Sequence, residues 1–450
     1  MIGKQIARWT MAWFASALCC LIASLGFAAV GLAGPGGWAA GTAMATVHLF
    51  ALGWLCQMMI GALIQFTPVL CARPLKMPGL SLPALLLTGL GNAMLAAGFL
   101  SMDGWVLGQN LLGLAPAVVV AGFGLTAVML VPTLLAGQGL RQAEVRMVAL
   151  ALIALAGLWG TGTAMALTLA GYNLLPVFIP DALPLHVLLG TGGFLTLAAF
   201  GVSYKLFAMF LLAPDRDGPL RKAVFGMAAL VVVLVLGLAG SILARGPRLP
   251  LGLLVAVAGA VTAGLYLVEM LRLWRSRHRL QTEVNMRWSR AAMICLAMSA
   301  ALMVPTFRWG AAWAEAAMFL ALVGWLSTLT LAQMVKIVSF LTWIQVFAPQ
   351  IGRRPVPLVS DLTDARFAGR CLGLWATGVA GGTFAIAVGH PLLFQVSAMI
   401  LLVAVLGLTR ELLAIRRLRH LDPARLPDHL PPLVLPVPLR SSSDDHALPA

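Results

Sequence analysis

Three of the seven histidines, His48, His186 and His390, fall inside or at the ends of long apolar stretches. The other four, His278, His420, His429 and His446, fall in polar connections or the C-terminal tail. An ionisable side chain inside a membrane span is costly and marks a functional site. Imidazole suits copper, iron and zinc, so rings at similar depth point to metal or cofactor ligation. His48 precedes Gly53 by five residues, His186 precedes Gly193 by seven, and Met318 precedes Gly324 between those offsets. His and Met are axial ligands of b- and c-type hemes. The plain alternative for each histidine is an interfacial ring bonded to a backbone carbonyl. His390, directly before Pro391, also suits a helix cap.

The three glycines head a repeated signature. Gly53-Trp54-Leu55 is followed by Gly61 and Gln65, Gly193-Phe194-Leu195 by Gly201 and Lys205, and Gly324-Trp325-Leu326 by Ala332 and Lys336. The small residue comes eight positions after the glycine and the polar residue twelve, and the copies lie 140 and 131 residues apart. Self-similarity at a near-fixed period means that one unit is used three times. Here the unit is four helices long, which predicts a pseudo-threefold arrangement. The glycines suit close helix contact.

The elements that must position these residues are membrane spans. The chain has 450 residues, 61% hydrophobic and 10% charged, with mean hydropathy +0.96. Twelve apolar runs of span length are read at 10–34, 41–66, 81–101, 109–136, 147–171, 184–213, 224–244, 250–272, 291–307, 311–341, 371–391 and 392–412. The fold class is therefore all-α and polytopic: a twelve-helix domain over 1–412, then a basic and Pro-rich, disordered tail over 413–450. The net charge of +15 reflects topology and not nucleic acid. Of 30 Lys and Arg, 25 lie on the termini and alternate loops of one face, from Lys4 and Arg8 to Arg440, against Arg245, Arg248 and Arg308 on the other. That bias places both termini in the cytoplasm and His48, His186 and His390 toward the outer surface. No N-terminal cleavage signal is convincing. The six cysteines form no CxxC pair and read as packed thiols.

The segment His48-Leu-Phe-Ala-Leu-Gly-Trp-Leu with Gly61-Ala-Leu-Ile-Gln-Phe-Thr-Pro68 resembles the second helix of the heme-copper oxidase catalytic subunit, subunit I, most nearly its divergent bacterial relatives. His186 with Gly201-Val-Ser-Tyr-Lys205 resembles the sixth helix, and Lys336-Ile-Val-Ser-Phe-Leu-Thr-Trp343 the tenth. The resemblance implies the twelve-helix fold, a bacterial cytoplasmic (inner) membrane location, and contact with lipids and a respiratory-chain partner or electron donor. It implies that His48 is an axial ligand of a heme b, with Met318 or His390 as the other ligand, and that His186 is a copper ligand. It also implies a His pair in the seventh helix and two histidines in the tenth, but 224–244 and 311–341 contain no histidine. The expected protein is thus not a competent oxygen or nitric oxide reductase.

Gln65, Lys205 and Lys336 stand at one point of the repeat, where they are expected either to snorkel to headgroups or to gather around the axis and contact a heme propionate or anion. Three functions follow. One is a heme- or copper-binding redox protein serving respiration, denitrification or metal handling. Another is a transporter for a metal, heme or small solute. The third is a ligand-poor scaffold or assembly factor of a respiratory complex.

Overall fold

The computed structural model describes residues 2–106, 108, 110–136, 139–172, 179–214, 218–246, 249–353, 355–427 and 432–434. Arg216, Arg248, Arg354, His429, Arg440 and His446, with most of the tail, lie outside the described residues.

Among the described residues twelve long helices follow one another: α1 (Ile2–Ala29), α2 (Gly41–Cys71), α3 (Ser81–Met102), α4 (Leu111–Leu135), α5 (Ala143–Leu169), α6 (Ile179–Leu211), α7 (Pro219–Leu243), α8 (Leu249–Arg275), α9 (Val284–Trp309), α10 (Ala311–Val346), α11 (Ala365–Ala387) and α12 (Pro391–Arg416). Eleven of them are long and apolar enough to cross a membrane, so the chain is a multi-pass membrane protein. The exception is α11, where a twelfth span was expected. It has 23 residues, but every eighteen-residue stretch of it includes Arg370, and glycines and threonines dilute the rest. It nonetheless packs along α12 and α10.

The helices that carry the signature, α2, α6 and α10, are the central ones and the most enclosed. Each is interrupted by a π-helical segment of eight residues, Leu49–Cys56, Leu188–Leu195 and Leu320–Ser327. These segments hold the repeat glycines, and they meet one another at the centre of the molecule. π-Helix is rare and usually a single turn; three copies starting four or five residues before the repeat glycines show that the repeat extends to the backbone.

Side chains explain the packing. The aromatic residue after each glycine, Trp54, Phe194 or Trp325, is fully buried. Trp54 Nε1 donates to Ser327 Oγ at 3.0 Å, and the Trp325 ring lies 6.2 Å from Phe200, so neighbouring repeats interlock. The glycines face outward. A Cβ on Gly53 would stand 2.7 Å from Cys20 Cβ, one on Gly193 2.7 Å from Ala154 Cβ, and one on Gly324 3.1 Å from Cys295 Cβ. Cys20, Ala154 and Cys295 lie on α1, α5 and α9, the first helix of each unit. Missing side chains thus let the outer helices approach the central three.

α12 continues four residues past the expected boundary at 412 because Ala414, Ile415 and Arg416 are buried. Arg416 also holds a piece of the tail. Its guanidinium donates to the carbonyls of Pro432 and Leu433 and to Thr342 Oγ1 and Gln345 Oε1. In this described piece the tail is packed where disorder was expected.

Candidate functional site

His48, His186 and Met318 lie on the three central helices, five, seven and six residues before the repeat glycines. Each lies one or two residues before its π segment. The resemblance to the oxidases implies different cofactors for His48 and His186, yet the structure brings the two rings together. Their ring centroids lie 6.4 Å apart, with the planes tilted by 32°. The physical reason is that the two repeats present these side chains into the same gap between α2 and α6, at one depth.

Both rings are oriented through Nδ1. His48 Nδ1 lies 2.8 Å from the Met44 carbonyl oxygen, which can only accept, so Nδ1 carries the proton. His186 Nδ1 lies 3.2 Å from Thr161 Oγ1. The Thr161 hydroxyl directs its own proton to the carbonyls of Gly157 and Leu158 at 3.0 and 3.1 Å, so it accepts from His186. Each ring is thereby left with a lone pair on Nε2. This is the tautomer of ligating histidines, whose other N–H is fixed by a carbonyl or similar acceptor. Phe99 of α3 packs on the His48 ring at 4.7 Å. On α5, a Cβ at Gly162 would lie 2.9 Å from His186 Cε1, so only glycine leaves the ring its place. Two imidazoles that bond one ion from opposite sides at about 2 Å set their centroids roughly 6 Å apart. The separation of the two ring centroids matches that of two imidazoles sharing one ion. Among the described residues no group of three or more His, Cys, Asp or Glu gathers to hold an ion.

The other expected ligands belong to different surroundings. The turn of α10 that carries Met318 packs through Ala316 and Phe319 against Ala28, Ile386 and Phe394, with Trp38 alongside. Phe394 makes edge contacts with Trp38 at 5.8 Å and Phe319 at 5.7 Å. His390 is exposed and caps α12, its Nδ1 accepting the Leu393 N–H at 3.2 Å. The capping alternative describes its place.

A cavity of about 60 Å³ lies on the axis between α2, α6 and α10. Its wall is built in rings from equivalent residues: Ala62, Val202 and Gln333 in one, Phe66, Leu206 and Ile337 in the next. Gln65, Lys205 and Lys336 directly precede the second ring and are not in the wall. One residue turns a helix by about 100°, enough to carry them off the axis. Gln65 accepts from Thr10 of α1 at 3.3 Å. Lys336 Nζ pairs with Glu283 at 2.6 Å and lies 5.9 Å over the Phe210 ring. Lys205 is half-buried.

A buried charge cluster escaped the sequence reading. Arg221 of α7 is 1% exposed, pairs with Glu144 at 3.2 Å and Glu269 at 3.7 Å, and lies 4.6 Å over the Tyr204 ring. Glu144 and Arg221 sit in the first turns of their helices, where charge ordinarily reads as a loop flank. Their spacing in sequence gives no sign that they meet.

No protein-family model matches the chain, and no curated protein matches it. Among solved structures, the fold is similar to that of a heme-copper terminal oxidase dimer determined by cryo-EM. The TM-score is 0.62 at 12% identity, over 92% of this chain and 84% of that one. At this identity the likeness shows the fold alone: a helical membrane protein whose helices are arranged as in that oxidase.

Proposed function

We propose that the chain is a redox membrane protein in which His48 and His186 together hold one metal centre, copper or the iron of a heme b. The observation that carries the reading is the pair itself. Two rings from equivalent places in successive repeats lie 6.4 Å apart, each with Nδ1 bonded to a neutral oxygen and Nε2 left to ligate. The similarity to an oxidase fold makes copper and heme the apt metals. Bound there, either one supplies one-electron transfer. The protein's own contribution is orientation and shielding: Met44 and Thr161 fix the tautomers, and Phe99 covers one ring. Two histidines serve one centre, so the protein passes electrons to or from a respiratory-chain or denitrification partner and does not itself reduce oxygen or nitric oxide. Sustained turnover of either gas with a reduced donor would overturn that part.

The test is a visible spectrum and metal analysis on one sample of the full chain purified from its membrane. The parent is expected to carry one equivalent of heme or copper, and His48→Ala and His186→Ala to lose it. A parent without metal, or variants that keep it, sinks the proposal and leaves a scaffold or a transporter.

A further inference from the structure

Repeat 1 buries two large amides near the middle of the membrane, Gln57 of α2 and Asn92 of α3, 0% and 1% exposed. One end of each is held by α1. Ser16 Oγ donates to Gln57 Oε1 at 2.7 Å, and Asn92 Nδ2 reaches Cys20 Sγ at 3.8 Å. The other ends, Gln57 Nε2 and Asn92 Oδ1, have no hydrogen-bond partner among the described residues. A buried polar atom left unpaired costs free energy comparable to a lost hydrogen bond or more.

These two ends are complementary, one a donor and the other an acceptor. They are also suitably spaced. Ser16 and Cys20 are four residues apart on α1, so the amides they hold lie about one turn apart, roughly 5–6 Å. A donor and an acceptor bridged by one water, whose hydrogen bonds of about 2.8 Å meet at a roughly tetrahedral angle, lie about 4.5–5 Å apart. Exchanging the oxygen and nitrogen of both amides again leaves one donor and one acceptor unpaired, so the argument does not hang on the amide assignment.

The other repeats solve the same place differently. Gln57 is the fourth residue after Gly53; its counterparts are Leu197 after Gly193 and Thr328 after Gly324. In repeat 3, Trp375 of α11 donates its indole N–H to Thr328 Oγ1 at 3.0 Å, a bulky group sealing a polar junction. In repeat 2 the junction is apolar. Only repeat 1 combines polar side chains with no group from the chain to join them.

We propose that repeat 1 holds one buried water molecule here, accepting from Gln57 Nε2 and donating to Asn92 Oδ1. Buried waters commonly satisfy such atoms. Gln57 is the first residue after the π segment Leu49–Cys56, so the water ties the end of that segment to α3 and thereby steadies the stretch that begins beside His48.

The experiment is a cryo-EM map of the full chain in lipid, fine enough to show ordered waters. The expected result is one peak within hydrogen-bond distance of both amides. Direct contact between the amides with no peak would overturn the proposal. So would a peak ringed by several oxygens at about 2.3–2.6 Å, the signature of a cation. Melting temperatures of Gln57→Leu, Asn92→Leu and the double variant give an independent reading. A shared water makes the effects non-additive, so the double variant is expected to melt no lower than the worse single one. Two shifts that add would show that the amides share nothing.

Discussion

The junction of repeats 1 and 2 and the junction of repeats 3 and 1 have the same backbone plan and different contents. In the first, His48 and His186 face one another beside Phe99, and both rings remain half-buried. In the second, Phe319, Phe394 and Trp38 fill the corresponding end with edge-on aromatic contacts. Met318 directly precedes Phe319 on α10, and a Cβ on Gly382 would strike the Phe319 ring at 2.6 Å. Symmetry resides in the scaffold, whereas the chemistry of each junction is set by which side chains occupy its wide end. Threefold analogy alone would have grouped Met318 with His48 and His186, although its turn packs among aromatic side chains.

The largest effect is expected where the closed junction is opened. Phe394→Ala removes a ring 5% exposed and should cost about 3–5 kcal/mol of stability, measured by thermal unfolding in detergent, with metal content unchanged. Loss of metal in this variant would break the comparison, because it would tie the closed junction to the site. Arg221→Met tests a third region, where repeat 2 buries charge. It leaves Glu144 and Glu269 without their shared cation and should cost a similar 3–5 kcal/mol or somewhat less. Removing all three charges with apolar residues is expected to restore most of that loss. If the single and triple variants unfold alike, the charge cluster is not what Arg221 contributes.

Gly193→Leu is expected to cost about 1–3 kcal/mol through overpacking against Ala154. Because Gly193 lies within the π segment of α6, the substitution should also disturb the histidine pair. Equal metal retention in Gly193→Leu and Gly324→Leu would show that the packing of a central helix is not felt at its ligand.

The smallest effect concerns pH. Asp103, in the connection after α3, accepts the backbone N–H groups of Gly41 at 3.0 Å and Thr42 at 2.7 Å and so caps the helix of His48. These bonds hold its carboxyl below the ordinary aspartate range. A depressed acid contributes stability above its unfolded pKa and loses it as pH falls through the folded value, so the contribution disappears below about pH 4. Asp103 is exposed, so the effect is small. Asp103→Asn should flatten the acid limb of the stability curve; an unchanged limb would show that the cap is not linked to pH.

Much of this was legible in the sequence for identifiable reasons. Gly53, Gly193 and Gly324 mark the repeat because close helix approach tolerates no larger side chain. His48 and His186 stand out because imidazole is costly in an apolar run. That the two meet was not legible. It depends on how far α2 and α6 turn through their π segments, and Leu49–Cys56 and Leu188–Leu195 read like any apolar helix. The Gln65, Lys205 and Lys336 register was visible, but one residue decides whether a side chain faces the axis, and Phe66, Leu206 and Ile337 hold that position. Glu144, Arg221 and Glu269 were hidden because a charge at a helix end normally meets water.

Four is an even number, and that has a consequence for how such a chain arises and enters a membrane. A unit of α1–α4 returns the chain to the side from which it set out, so α5 and α9 begin where α1 began. A tandem copy of such a unit faces the same way as its parent, and its basic loops fall on the same face as the parent's. A unit with an odd number of crossings would invert its copy and demand that the charges be redistributed, as in transporters built from inverted halves. Duplication here required no rewriting of topology, and the copies were free to diverge one side chain at a time.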